Sequence, residues 1–296
     1  MKNRYYISIV GRSNVGKSTL INLICKDYVT SESKKEQTTR INLHNQTKIH
    51  NLDVVLVDTP GVSLKNNNLM SLSMKNSYIK SLAFTDLVIL MTDININNFN
   101  YEREILKLSD SDNIKTLIVV NKIDLCDDNL NDLIKFKENI SKEFNKELFF
   151  LSLKENEGVD QFISQGILKN LTDNKAKNTI NISSENSMRL SMQELIRGII
   201  IKKTHDELPY DTAVCIEKIE KGANLIKVFA DIYVEKQNQK KIIIGKGGEM
   251  IKIIGVESRK ILEENHKKKF YLSLNVVVKE NWKNNYSLLK DLGYID

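Results

Sequence analysis

Apolar positions fall along the chain in two regimes. Through residue 171, dense apolar runs of four to six residues recur at 5–10, 52–57, 87–91, 117–120 and 147–151. They are rich in β-branched and aromatic side chains at consecutive positions, the pattern of strands buried on both faces. Between and after them lie stretches of helical character at 19–24, 69–83, 101–108 and 162–171. A further strand-like run covers 41–49, while 30–40 and 63–68 are polar and read as loops. Strands alternating with helices predict an α/β unit with a mainly parallel sheet and ligands at the carboxyl edge of its strands.

Beyond residue 187 the pattern changes. Leu190, Leu195, Ile196, Ile199 and Ile200 keep a helical period over 188–205. Two strand-like runs, 212–218 and 225–235, pair across a turn at Lys221-Gly222, and a short helix at 240–244 breaks at a glycine cluster. A helix over 249–265 and a strand over 271–278 follow. This predicts a second, smaller α+β unit. Residues 173–187 are polar with few apolar anchors and read as a linker, so the expected domains are 1–172 and 188–296.

Composition narrows the class. A chain of 296 residues, 41% hydrophobic and 28% charged, suits a soluble protein of about two domains. No apolar run approaches the ~20 residues of a membrane span, and the immediate strand at the N-terminus leaves no room for a signal peptide. Cys25, Cys126 and Cys215 lack metal-ligand spacing, which points to buried thiols and a reduced, cytoplasmic setting. The formal charge of +6 is unevenly placed. Residues 1–174 hold 22 basic and 22 acidic side chains, the rest 22 and 16. A basic C-terminal part suits nucleic acid or an anionic membrane surface.

The chemistry-bearing motifs follow predicted strands. Gly11-Arg12-Ser13-Asn14-Val15-Gly16-Lys17-Ser18 is G-x-x-x-x-G-K-S between a strand and a helix that opens at Thr19. That setting aims backbone N–H groups and a helix dipole at an anion. Gly11 and Gly16 let the backbone wrap a phosphate, Lys17 neutralises the β- and γ-phosphates, and Ser18 offers a hydroxyl to Mg²⁺. Asp58-Thr59-Pro60-Gly61 ends the 52–57 run, where Asp58 can hold Mg²⁺ through water and the Gly61 N–H can meet a γ-phosphate. Asn121-Lys122-Ile123-Asp124 ends the 117–120 run. Asp124 there can accept from both N1–H and the 2-amino group of guanine, while Asn121 braces the loop and Lys122 lays its stem over the base.

In this order the motifs resemble those of the TRAFAC-class GTPases. The resemblance implies a P-loop NTPase domain that hydrolyses GTP to GDP with Mg²⁺. It makes Thr38-Thr39 the switch I motif with Thr39 a Mg²⁺ ligand, and Ser152-Leu153-Lys154 the last guanine loop. Leu153 replaces the usual Ala, and its backbone N–H is expected to reach guanine O6. The water-orienting Gln of Ras-like enzymes is replaced by Val62. Asn14 matches a residue that helps hold K⁺ in K⁺-stimulated relatives, where the ion stabilises transition-state charge; its alternative role is to pin the loop.

In the second unit, Gly245-Lys246-Gly247-Gly248 is a G-x-x-G loop between two helices beside a three-stranded sheet, the type II KH arrangement. Absent side chains let a nucleic-acid backbone pass close. Ile243 and Ile244 precede the loop, and Lys252 and Arg259 follow it. A GTPase domain, a linker and a type II KH domain together resemble the Era-like family. Gln37-Thr38-Thr39-Arg40, Glu207-Leu208-Pro209-Tyr210, Asn281-Trp282-Lys283-Asn284 and Leu292-Gly293-Tyr294 add to the match, and Ser13 departs from its usual Pro. The resemblance implies a monomer binding single-stranded RNA near the 3′ end of the small-subunit (16S) rRNA during 30S assembly. Two rivals are a membrane-associated signalling GTPase whose basic part reads anionic lipid, and an RNA binder with a purely structural nucleotide site. The G-x-x-G loop argues against the first as the main role, though not against peripheral membrane contact. Intact Lys17, Ser18, Thr39 and Asp58 argue against the second.

Overall fold

The computed structural model describes residues 4–26, 40–60, 69–82, 84–96, 98–126, 130–172, 176, 184–204 and 208–295. The first half folds as β1 (Arg4–Gly11), α1 (Lys17–Cys25), β2 (Leu43–Ile49), β3 (Leu52–Asp58), α2 (Leu69–Leu82), β4 (Leu87–Asp93), α3 (Asn100–Ser111), β5 (Lys115–Asn121), α4 (Leu130–Glu143) and β6 (Glu147–Phe150). A helical run then closes it through α5 (Val159–Gln161), a π-helical stretch (Phe162–Leu168) and α6 (Lys169–Thr172). The sheet order is β2-β3-β1-β4-β5-β6, parallel throughout except for β2, which lies antiparallel on β3.

The consecutive apolar positions have the reason assigned to them. Ile9 joins a core with Leu20, Ile21 and Ile24 of α1 and with Phe162, while its neighbour Val10 joins the opposite core with Tyr101 and Ile105 of α3 and Ile140 of α4. Alternate side chains thus feed two helical layers, each fully buried aliphatic contributing about 1.5–3 kcal/mol. The register aligns the strand ends at one edge: Gly11 faces Met91, Ile9 faces Asp58, Asp93 faces Asn121 and Val120 faces Phe150.

The second half comprises α7 (Ser184–Lys203), α8 (Leu208–Asp211), β7 (Ala213–Lys221), β8 (Leu225–Val234), α9 (Gln237–Ile244), α10 (Glu249–His266), β9 (Lys269–Val278) and α11 (Tyr286–Asp291). β8 is central, antiparallel to β7 and parallel to β9. Val214 and Ile216 turn toward α7 and α10, packing with Ile196, Ile200, Ile254 and Leu262. Ala213 and Cys215 turn to the other face, where Trp282, Leu289, Leu292 and Tyr294 lie.

The structure differs from the sequence reading in several elements: α7 begins at Ser184, inside the expected linker 173–187, and the short helix α8 was not expected after the preceding helix. α4 was not foreseen, although Phe136, Ile140 and Phe144 recur at helical spacing. The helix expected at 162–171 begins at Val159, and its middle seven residues are π-helical.

Candidate functional site

The first glycine loop is built by its neighbours. Gly11 sits at φ 152, where a Cβ would lie 2.2 Å from the Met91 carbonyl oxygen; Gly16 caps α1 at φ 106, where a Cβ would lie 2.5 Å from Asn121 Nδ2. Only glycine fits either place. Lys17 is 7% exposed and folds its ammonium back onto the Gly11 and Arg12 carbonyls at 3.0 and 2.8 Å. Burial pushes its pKa down to about 8, against a smaller opposing pull from Asp58. Ser18 Oγ donates to Asp58 Oδ2 at 3.0 Å, which brings two of the candidate metal ligands together. Their hydroxyl and carboxylate oxygens are the hard donors that suit Mg²⁺.

The residues expected to recognise the base meet at the same edge. Asn121 Nδ2 donates to the Val15 carbonyl at 2.8 Å, tying this loop to the first one. Ser152 Oγ donates to Asp124 Oδ1 at 2.6 Å, and Lys154 stands 3.9 Å from Asp124 Oδ2. The remaining carboxylate capacity of Asp124 suits a two-donor edge such as guanine's. Lys122 takes φ 64 and pairs with Asp93 at 2.6 Å. Asn14 is exposed at φ 65, while Val15 is buried in the core; Ser13 and Thr19 are half-buried.

Some sequence-derived assignments change. The Leu153 N–H, expected at guanine O6, donates instead to Asn121 Oδ1 at 3.1 Å, and the Leu153 side chain is buried. The Thr59 hydroxyl is committed to the Ile9 carbonyl at 2.7 Å, and Thr59 and Pro60 are buried, so they shape the strand end and present no side chain to a ligand. Thr39 and Gly61 lie outside the described residues, as does Val62. Two acids went unnoticed. Asp93 ends a buried strand, the same signal that marked Asp58. Glu102, fully buried on α3, takes both Nε and Nη2 of Arg12 at 2.9 Å, and nothing local in the sequence announces it.

The second glycine loop lies on the other sheet's half. Gly245, Gly247 and Gly248 take φ 76, 61 and 81, and Gly248 caps α10. A Cβ on Gly245 would lie 2.8 Å from the Met250 backbone N, but at Gly247 and Gly248 it would meet nothing within 4 Å. Lys246, Lys252 and Arg259 are exposed, as are Ile242, Ile253 and Val256. Positions 252, 256 and 259 share one face of α10, so basic and apolar side chains interleave there. Ile244 is half-buried. Ile243 is fully buried in the core and offers no surface; the helix phase presents Ile242 in its place.

Comparisons with known proteins agree with this geometry. A family model described as 50S ribosome-binding GTPase matches residues 6–122, and a KH domain model matches residues 207–283. GTPase Era of Borrelia turicatae is 34% identical over 288 residues, covering 97% of this chain and 98% of that protein. GTPase Era of Fusobacterium nucleatum is 33% identical over 294 residues, covering 98% of each. A crystal structure of a variant of Aquifex aeolicus Era bound to GDP and AlF4⁻ has a TM-score of 0.86 at 28% identity, with both chains covered in full. Era in complex with MgGDPNP and nucleotides 1506–1542 of 16S ribosomal RNA gives 0.86 at 27% identity, again over both full chains.

Proposed function

The chain belongs to the Era family of GTPases, and on that premise we propose that it couples a GTP cycle to RNA binding in assembly of the 30S ribosomal subunit. The observation that carries this reading is the presence, in one chain, of the Ser18–Asp58 and Asp124–Ser152 pairs on one sheet edge and the open glycine loop on the other half. The proposed units are residues 1–172 for nucleotide and 188–296 for RNA, joined by 173–187.

At the first loop, backbone N–H groups and Lys17 hold the β- and γ-phosphates, and Asp124 selects guanine with Ser152 fixing its carboxylate. Ser18, Asp58 and Thr39 would hold Mg²⁺, which neutralises charge on the transferring phosphoryl group. The Gly61 N–H holds the γ-phosphate. Asn14 takes part in retaining K⁺, since Val62 cannot orient water. Support for Mg²⁺ and guanine nucleotide comes from the related Era solved with MgGDPNP.

At the second loop, Gly247 and Gly248 leave room for an RNA backbone, and Lys246, Lys252 and Arg259 neutralise it. Ile242, Ile253 and Val256 give apolar surface to bases. The related Era solved with a 16S fragment supports the 3′ end of small-subunit rRNA as the target. The protein acts as a cytoplasmic monomer in this reading. Among the described residues no helix is long and apolar enough to cross a membrane.

Nucleotide competition tests the first half. GTP and GDP should displace a fluorescent GDP while ATP does not, and Asp124→Asn should move preference toward xanthine nucleotides. Equal affinity for ATP and GTP would sink the guanine assignment. RNA crosslinking in cells, read by sequencing, tests the second: sites away from the small-subunit 3′ end would overturn the target.

A further inference from the structure

Arg40 directly follows Thr39 in sequence and belongs to the first half, yet its side chain is buried in the second. It is 1% exposed. Its Nη1 donates to the Thr212 carbonyl at 2.8 Å and its Nη2 to the Tyr210 carbonyl at 2.7 Å, with Pro209 O at 3.4 Å. These carbonyls belong to α8 and the residue after it, where a cation is favoured by the helix end. The guanidinium carbon stands 5.5 Å from the centre of the Trp282 ring, within cation–π reach. The Tyr294 hydroxyl is hydrogen-bonded to the same side chain, and the Arg40 backbone N–H donates to Glu194 Oε2 at 3.3 Å. Glu194 in turn pairs with buried Arg197 at 2.7 Å.

Such a socket is costly to build. Burial, and then the second cation Arg197, push the Arg40 pKa down; the two terminal nitrogens are satisfied by carbonyls while Nε has no hydrogen-bond partner among the described residues, so the charge is held at a cost. The surrounding contacts make it a joint between halves. Ile41, Leu43 and Met70 pack with Ala213, Cys215, Tyr233, Trp282, Leu289 and Leu292. Ser73 of α2 donates to the Tyr294 carbonyl. So the strand entered after Thr39 and the helix that follows Gly61 are both fastened to the C-terminal face. Glu194 lies on α7, which packs against α10, the helix carrying Lys252 and Arg259.

We propose that Arg40 is a positioning residue: held by the socket of Glu194, Pro209, Tyr210, Thr212, Trp282 and Tyr294, it fixes the chain next to Thr39 from the RNA-bearing half and links hydrolysis to RNA binding. The link to RNA rests on the functional reading above; the anchoring of Arg40 itself does not require RNA.

The test uses the full chain with Arg40→Met, which keeps length without charge, and Arg40→Lys, which keeps charge but cannot fork to three carbonyls. Without RNA, Arg40→Met should lower kcat for GTP about tenfold or more and leave KM within about threefold, the loss of an interaction acting in the transition state. Arg40→Lys should recover part of kcat. With a single-stranded fragment of the small-subunit rRNA 3′ end, the wild type should bind a non-hydrolysable GTP analogue about 5–150-fold tighter than without it, and Arg40→Met should bring that factor close to one.

Unchanged kcat in Arg40→Met overturns the positioning role. A lowered kcat with a wild-type RNA factor overturns the link. Failure of the wild type to bind the RNA at all overturns the RNA reading instead, and the kcat arm still decides Arg40. Should circular dichroism show Arg40→Met unfolded, Tyr294→Phe removes one hydroxyl from the socket and should lower both kcat and the factor part way; no change in either overturns the proposal.

Discussion

Two glycine loops lead into helices in this molecule, and they use glycine for different reasons. In the first, between β1 and α1, the protein itself fills the space a side chain would need: Met91 O stands against Gly11 and Asn121 against Gly16. Its lysine is buried and already held by carbonyls. In the second, between α9 and α10, Gly247 and Gly248 face open space and Lys246 is exposed. The first loop is lined by protein contacts that leave no room for a side chain at either glycine. The second needs glycine for its positive φ and for the room it leaves outside.

The largest break in this comparison is Lys17→Ala. It removes the buried ammonium and should abolish detectable nucleotide binding, a loss of at least about a thousandfold, or roughly 4 kcal/mol. The fold should survive, because the desolvated charge was a cost to the folded state. A lost circular-dichroism spectrum would contradict this. The pKa of about 8 adds a pH test. A bound triphosphate raises it, so affinity should be flat between about pH 7 and 8, where the phosphates are already ionised, and fall by up to about tenfold per unit above it. For the ligand-free fold the sign is opposite. Between about pH 8 and the unfolded value of 10.5 the unfolded chain binds more protons, so Lys17's contribution to stability rises with pH. Nucleotide titrations and urea melts at pH 7, 8 and 9 measure both slopes.

Paired glycine substitutions come next. Gly11→Ala meets a backbone carbonyl at 2.2 Å as well as an unfavourable φ, and should cost about 3 kcal/mol or more. Gly247→Ala meets only the left-handed φ, about 1–2 kcal/mol, but should weaken RNA binding by occupying the space outside. Urea midpoints and RNA affinity on the same two variants decide it. Equal stability losses would erase the distinction between the loops.

How legible each region was follows from the range of its contacts. The nucleotide motifs could be read because a phosphate cradle demands particular residue types at fixed spacing within eight residues, and because Asp58 and Asn121 mark the ends of buried strands. α4 is hard to read because only Phe136, Ile140 and Phe144 mark its apolar stripe, amid charged positions on every side of them. The exchange of Ile243 for Ile242 is a question of helix phase, which a three-isoleucine run cannot settle. The Arg40 socket was beyond reach. It joins residue 40 to residues 194–294, and no local pattern distinguishes that arginine from a solvated one.

The smallest effect sharpens the first loop further. Asn14 is its exposed non-glycine residue at positive φ, 65°, in a loop whose Arg12, Lys17 and Ser18 are each held by protein groups. Asparagine tolerates that conformation through local hydrogen bonding, so loop bracing alone would account for it. A second role is required if hydrolysis, lacking a glutamine at position 62, draws on a monovalent cation to offset transition-state charge. The amide oxygen of Asn14 is a suitable ligand for K⁺ at the mouth of the phosphate site. Hydrolysis should then run severalfold faster in KCl than in NaCl at equal ionic strength, and Asn14→Ala should remove the difference while leaving GDP affinity nearly unchanged. Identical rates of the wild type in the two salts would reduce Asn14 to a brace.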